Sequence, residues 1–164
     1  MRKNDFLALL GTFLLASIII FSSKSISNDI VTYILFLNIR DHPEVASIAE
    51  SIRQKCLFNK IYISEECLFY EVENFIFENV SYRKDTIIEE TFKIHKDPLY
   101  TLKYGGDCEG MAILAIDILK SLGRKNLYLV RQDQHICWGA MVGKSLRLYG
   151  CDLSKPINFI RRVG

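Results

Sequence analysis

The longest apolar run of the chain lies close to its amino terminus. Residues 6–21 (FLALLGTFLLASIIIF) carry no charge, and Arg2 and Lys3 precede them. At about 1.5 Å per residue, a helix over this run is somewhat shorter than a ~30 Å hydrocarbon core, which fits a short transmembrane helix or the core of a signal peptide. Because no clear Ala-x-Ala cleavage site follows, we favour an uncleaved membrane anchor through residues 6–22. A buried core helix is less typical of a run that is apolar on every face.

This pattern divides the chain into three parts. Residues 1–24 form the membrane anchor or signal segment, residues 25–40 an apolar connector, and residues 41–164 the folded domain. The connector contains ten consecutive residues, 30–39, that are too few to span a bilayer as a helix; they either extend the anchor along the interface or pack on the domain. The basic residues before the anchor predict a single-pass membrane protein with its domain on the extracytoplasmic side.

Helical spacing of apolar residues recurs in the first half of the domain. Asp41 and Pro43 favour a helix start, with the helix running to about residue 54. A second helix is predicted after Ser64, with two glutamates in its first turn. A short third helix follows Asp97 and ends at the Gly-Gly pair 105–106. The charged, aperiodic residues 81–96 predict a surface loop.

The most informative stretch is Gly105-Gly106-Asp107-Cys108-Glu109-Gly110, followed by MAILAIDILKSLG. Asp107 is suited to cap a helix, which places Cys108 in the first helical turn. The helix is apolar nearly all round and ends before Gly123, so we expect it at the centre of the fold.

Strand patterns follow this helix. Residues 127–130 form one predicted strand, and 134–142 and 145–152 form a hairpin closed by Gly143-Lys144. If Val142 faces Ser145, the same register places His135 opposite Asp152, with their Cβ atoms about 5 Å apart on one face. That face also carries Cys137 and Gly139, and we expect the central helix to pack against it.

These residues predict a catalytic site. A thiolate is a strong nucleophile, and a helix amino terminus and a nearby imidazolium both lower the pKa of a thiol. His135 would transfer the proton, Asp152 would orient the imidazole, and backbone N–H groups at the helix start would stabilise an oxyanion. Asp107 and Glu109 oppose thiolate formation unless they point away or bind backbone groups.

The segment from Gly106 to Gly110, the apolar helix ending at Leu122-Gly123, and the strands bearing His135 and Asp152 resemble the transglutaminase-like superfamily, above all its small prokaryotic cysteine peptidases. Pro98-x-x-Thr101-Leu102 upstream adds to the resemblance, which covers roughly residues 65–155. It implies an α+β, papain-like fold in which the Cys-bearing helix packs on a small antiparallel sheet. It also implies a Cys108-His135-Asp152 triad. The animal cross-linking enzymes have Gln and Trp on either side of the cysteine, where this chain has Asp107 and Glu109.

The implied activity is that of a membrane-anchored cysteine enzyme acting on amide bonds of peptides or proteins through a thioester. Hydrolysis is favoured over acyl transfer to an amine, because so small a chain has little room for a separate amine site. The alternative is a non-catalytic peptide-binding module that keeps the fold. At the level of single residues, Cys108 is alternatively a buried core residue, and Asp152 a cap of the turn at the strand end.

Composition and cysteine spacing narrow the function further. The 164 residues are 49% hydrophobic and 24% charged with a net charge of +2, which is typical of a globular domain and gives no basic surface for nucleic acid. The cysteines and histidines lack metal-ligand spacing, and no nucleotide-binding motif occurs, so we expect neither metal nor cofactor. Cys56 and Cys67 are suitably placed for a disulfide, whereas Cys137 and Cys151 point to opposite faces in the predicted register.

Overall fold

A computed structural model describes residues 42–58, 62–84, 86, 97–133 and 135–163. The predicted anchor and connector, residues 1–40, lie outside these ranges. None of the helices within the described ranges combines the length and the apolar character needed to cross a bilayer. The described elements, in chain order, are α1 (Pro43–Lys55), β1 (Leu57–Phe58), β2 (Tyr62–Ile63), α2 (Glu65–Asn79), α3 (Pro98–Tyr104), α4 (Cys108–Ser121), β3 (Leu127–Gln132), β4 (His135–Val142), β5 (Ser145–Tyr149) and β6 (Phe159–Val163).

Three helices begin at the predicted capping residues. The side chains of Ser64, Asp97 and Asp107 each accept a backbone N–H from the first turn of α2, α3 and α4. These bonds satisfy donors that have no partner within the helix, which is why short polar residues are preferred there. Gly105 ends α3 with a φ of 79°, a left-handed conformation that disfavours other residues.

Helix α1 begins differently from the prediction. Its N-cap is His42, which makes no capping hydrogen bond through its side chain, and Pro43 occupies the first helical position. Asp41, the predicted cap, lies outside the described residues. The buried face carries Val45, Ala49 and Ile52.

Four antiparallel strands form the main sheet, in the order β5-β4-β3-β6. The hairpin of β4 and β5 is closed by Gly143 and Lys144, and Gly143 has the positive φ (62°) that the turn requires. The predicted register is confirmed from Val142–Ser145 to Trp138–Tyr149.

The pairing of β4 with β5 ends earlier than predicted. Gly150 has a φ of 65°, which turns the chain out of the strand directly after Tyr149. The prediction that His135 pairs with Asp152 is therefore wrong, and the one strand partner of His135 among the described residues is Gln132 on β3.

Helix α4 lies at the centre of the domain, as its sequence predicted. Nine of its fourteen residues are buried, and it contacts α1, α2, α3 and the sheet. The face of β4 that meets the helices carries Trp138, whose ring lies 6.3 Å from that of Phe69 on α2 and stacks on Tyr149 at 4.3 Å. The predicted packing against the Cys137 face is therefore wrong, because residues alternate between the two faces of a strand. Helices packed on an antiparallel sheet make the fold class α+β.

Two disulfides join residues of neighbouring elements. Cys56 is bonded to Cys67, the bridge for which the spacing is suitable, and Cys137 is bonded to Cys151, which the predicted register placed on opposite faces. The predicted register assumed that β5 continues beyond Tyr149. In the structure the chain turns at Gly150, and this turn brings Cys151 to Cys137. All five cysteines lie in the described part of the chain, so Cys108 is the single free thiol.

The two bridges offer a matched pair of variants. Their cysteines are separated by 11 and 14 residues, so chain entropy alone predicts that removing either, as a double Cys→Ser variant, lowers the free energy of unfolding by about 2 to 3 kcal/mol. We expect only the loss of Cys137–Cys151 also to lower the reactivity of Cys108, because Cys151 adjoins the residue that binds His135. Urea unfolding and alkylation rates measure the two effects. Equal loss of Cys108 reactivity in both variants would contradict this difference.

Candidate active site

Cys108 lies at the amino terminus of α4, half-buried against the edge of β4. Its Sγ accepts a hydrogen bond from the backbone N–H of Ile136 at 3.4 Å. This N–H is not used by a strand on the β5 side, because β5 has already ended opposite Trp138. The early end of β5 therefore makes room for the sulfur beside the residue that follows His135.

The loop before Cys108 is held by a short segment after α2. The N–H of Gly106 donates to the carbonyl of Ser81 at 3.2 Å, and its own carbonyl accepts from the N–H of Arg83 at 2.9 Å. A Cβ on Gly105 would lie 2.3 Å from the Ser81 oxygen, so this approach requires glycine. The described residues 81–84 of the predicted surface loop are mostly exposed and lie in no helix or strand, and Tyr82 forms one parallel bridge with Gly106.

His135 is oriented by a backbone carbonyl. Its Nε2 lies 2.7 Å from the oxygen of Gly150. A carbonyl oxygen can only accept, so Nε2 carries a proton, and in the neutral form of the imidazole the lone pair is then on Nδ1. Within the described residues no hydrogen bond joins the ring to Sγ of Cys108, but both side chains line one cavity.

Asp152 does not fill the predicted role of orienting acid. Its Oδ1 accepts from the backbone N–H of Ser154 at 3.1 Å and from its hydroxyl at 2.6 Å. These bonds, together with the nearby Lys155, lower the pKa of the exposed carboxyl group. The side chain caps a turn after the strand, which was the alternative interpretation, because the chain leaves the β4 register at Gly150.

Gln132 is a positioning residue that the sequence analysis missed. Its side chain is 1% exposed; its Nε2 donates to the carbonyls of Asp152 and Lys155, and its Oε1 accepts the N–H of Asp152. It thereby fixes the loop that carries the Gly150 carbonyl to His135. The one sequence feature that could have identified Gln132 is its position as a polar residue at the end of a mostly apolar strand.

An open cavity of about 410 Å³ extends from the thiol between α2, α4 and β4. Apolar side chains form most of its wall, and at its rim Phe77 and Tyr82 are 88% and 61% exposed. The remaining lining residues include Glu73, Cys108, His135 and Gly150. Large exposed apolar side chains beside a cavity are typical of a surface that binds a partner.

The surroundings of Cys108 raise the pKa of its thiol. Burial is the largest cause, and the carboxylates of Asp107 and Glu109 add to it. The N–H groups of Ile136 and Glu109 act in the opposite direction by binding the sulfur. The resting side chain is therefore a neutral thiol at pH 7.

The raised pKa predicts the effect of one substitution. Glu109→Gln removes a negative charge that disfavours the thiolate, so the pKa of Cys108 should fall and the midpoint of its alkylation by iodoacetamide should move to lower pH. At any pH below the midpoint, alkylation should be faster than in the wild type. Glu44→Gln on α1 is the matched control and should leave the profile unchanged. An unchanged or raised midpoint in Glu109→Gln would contradict this account.

Within the described ranges, no group of three or more histidine, cysteine, aspartate or glutamate side chains is arranged to hold a metal ion. Comparison of the chain with protein-family models, with curated proteins and with solved structures finds no match in any of the three.

Proposed function

We propose that the protein is a cysteine enzyme of the transglutaminase-like type, with a papain-like arrangement of its helix and sheet, that acts on amide bonds of peptides or proteins. The observation that carries this proposal is the placement of the one free thiol at the start of α4, against β4 and in the same open cavity as His135. The resemblance of residues 105–123 to that superfamily supports it.

The chemistry begins with a proton transfer. His135 Nδ1, which holds the lone pair, takes the proton of the Cys108 thiol as the sulfur attacks the amide carbonyl carbon. In the first turn of α4 the N–H of Gly110 is bound by Asp107 and that of Glu109 by the sulfur, so the backbone N–H of Cys108 is the one that stabilises the oxyanion. The C–N bond then breaks, His135 gives its proton to the leaving amine, and a thioester remains on Cys108.

A second nucleophile releases the acyl group. Water attacks the thioester carbonyl carbon while His135 takes a proton from the water. The C–S bond then breaks, the free acid is released, and His135 returns its proton to the Cys108 sulfur. An amine in place of water gives a new amide by the same steps. We favour hydrolysis, because the cavity opens to solvent and has room for one peptide segment.

The partner of His135 distinguishes this site from the expected triad. The Gly150 carbonyl fixes the tautomer and the orientation of the ring, which are two of the tasks of a triad carboxylate. It carries no full charge and stabilises an imidazolium less than aspartate would. Together with the raised pKa of Cys108, this favours general-base activation of a neutral thiol over a preformed ion pair.

The disulfides bear on where the enzyme acts. Two bridges in a small domain are typical of an oxidising compartment. This supports a single-pass membrane protein, anchored through residues 6–22, whose catalytic domain lies on the extracytoplasmic side.

Products of a peptide mixture test the proposal. The full chain in detergent micelles is incubated with a defined peptide library in H₂¹⁸O, with and without cadaverine, beside Cys108→Ala. Hydrolysis places one ¹⁸O in each new carboxyl group, and acyl transfer yields cadaverine amides. We expect ¹⁸O-labelled acids that are absent with Cys108→Ala. An unchanged library, with peptides retained equally by both proteins, would contradict the proposal and identify a binding module.

A further inference from the structure

Glu73 brings a carboxylate into an otherwise apolar wall of the cavity. It shares one face of α2 with Ile76 and Phe77, since residues three and four positions apart align on a helix, and Val80 follows at the carboxyl end of the helix. All four line the cavity. Among the described residues that line the cavity, Glu73 supplies the one carboxylate.

The Glu73 carboxylate is only partly used by the protein. Its Oε1 accepts the N–H of Gly150 at 3.0 Å. Among the described residues, no lysine or arginine forms an ion pair with it. This bond holds the group beside the residue that orients His135, so its second oxygen remains for a bound molecule within the active-site cavity.

Two more carboxylates add negative charge at the end of the cavity where the thiol lies. Asp107 and Glu109 flank Cys108, and both act on its sulfur electrostatically. A cavity with apolar walls and negative charge at its reactive end complements a molecule that combines an apolar group with a cation.

From this arrangement we infer that the substrate is a peptide carrying a lysine or arginine near the reacting amide, beside a large apolar side chain. Glu73 binds the cationic group, and Ile76, Phe77 and Trp138 contact the apolar one. This inference rests on the proposed function and names its substrate class. Glu73 is a specificity residue and takes no part in the proton transfers.

The test compares two peptides that differ at one position. From the library products, a cleaved sequence is made with lysine and with norleucine, which keeps the alkyl chain without the charge. We expect kcat/KM to be about tenfold higher for lysine, mostly through KM, as is usual for one charge-assisted contact. Glu73→Gln, which keeps an acceptor for Gly150, should remove that ratio, and Glu73→Lys should enrich acidic residues among library products. Glu66→Gln, elsewhere on α2, should retain the lysine preference.

The outcomes separate this inference from the proposed function. Cysteine-dependent cleavage with equal rates for lysine and norleucine, or with a preference that survives Glu73→Gln, overturns the role of Glu73 and leaves the enzyme. Absence of any cleavage overturns both.

Discussion

Replacing His135 with alanine should lower the rate of Cys108-dependent amide cleavage by about 10²- to 10⁴-fold, the range usual for a general acid–base group. The raised pKa of Cys108 makes the effect large, because the thiol does not ionise unaided at neutral pH. In the proposed reaction His135 also returns the proton to the leaving amine, so its loss should slow both formation and breakdown of the tetrahedral intermediate. Initial rates at pH 7 on a single peptide identified from the library measure the change.

Asp152→Ala is the matched control for this prediction. In a triad with Asp152 as the orienting acid, its loss would lower the rate almost as severely as loss of the histidine. In the structure its carboxylate binds Ser154 at the surface, so we expect a change of no more than a few-fold. A loss in Asp152→Ala comparable to that in His135→Ala would contradict the assignment of the Gly150 carbonyl as partner of the imidazole.

Gln132→Ala should give the second large effect, on stability and activity together. The variant removes three hydrogen bonds from a side chain that is 1% exposed. At about 1 kcal/mol each, their loss lowers the free energy of unfolding by about 3 kcal/mol. It also frees the loop that holds the Gly150 carbonyl, so we expect activity to fall at least about tenfold at temperatures well below the melting midpoint.

Gln132→Glu distinguishes the hydrogen bond that this side chain accepts from the two that it donates. Glutamate can still accept the N–H of Asp152 but has no N–H for the carbonyls of Asp152 and Lys155. Because the buried carboxylate would face those two carbonyl oxygens without a hydrogen bond, we expect losses of stability and activity at least as large as those of Gln132→Ala, measured by urea unfolding and initial rates. Full activity in a folded Gln132→Ala protein would contradict this role of Gln132, because the loop would then hold the Gly150 carbonyl in place without these hydrogen bonds.

The parts of the fold set by neighbouring residues could be predicted from the sequence. The caps at Ser64, Asp97 and Asp107 act over two or three residues, and the turn at Gly143 sets the register of the pairs next to it. The central position of α4 followed from its apolar composition, which no exposed helix would carry.

The prediction failed where a single backbone conformation sets the direction of the chain beyond it. A pattern of alternating residues does not show that Gly150 adopts a positive φ and ends β5. The pairing of His135 with Asp152 and the separation of Cys137 from Cys151 both depended on that strand continuing. One local error therefore led both to the assignment of Asp152 as the partner of His135 and to the exclusion of the Cys137–Cys151 disulfide that the structure contains.

Long-range contacts of the site carried no sequence signal. Glu73 is 77 residues from Gly150, and Ser81 meets Gly106 through backbone atoms alone. Nothing in the local pattern of α2 marks Glu73 as different from its other glutamates. Such contacts arise only when the helices have packed on the sheet.

The most direct measurement follows the acyl group during turnover. A peptide p-nitrophenyl ester is mixed with the full chain, quenched with acid after successive intervals, and the protein is digested and analysed by mass spectrometry. The account predicts an acyl group in thioester linkage on the peptide containing Cys108, formed more slowly in His135→Ala and absent in Cys108→Ser. Steady turnover with no adduct on Cys108, or turnover undiminished in Cys108→Ser, would contradict it.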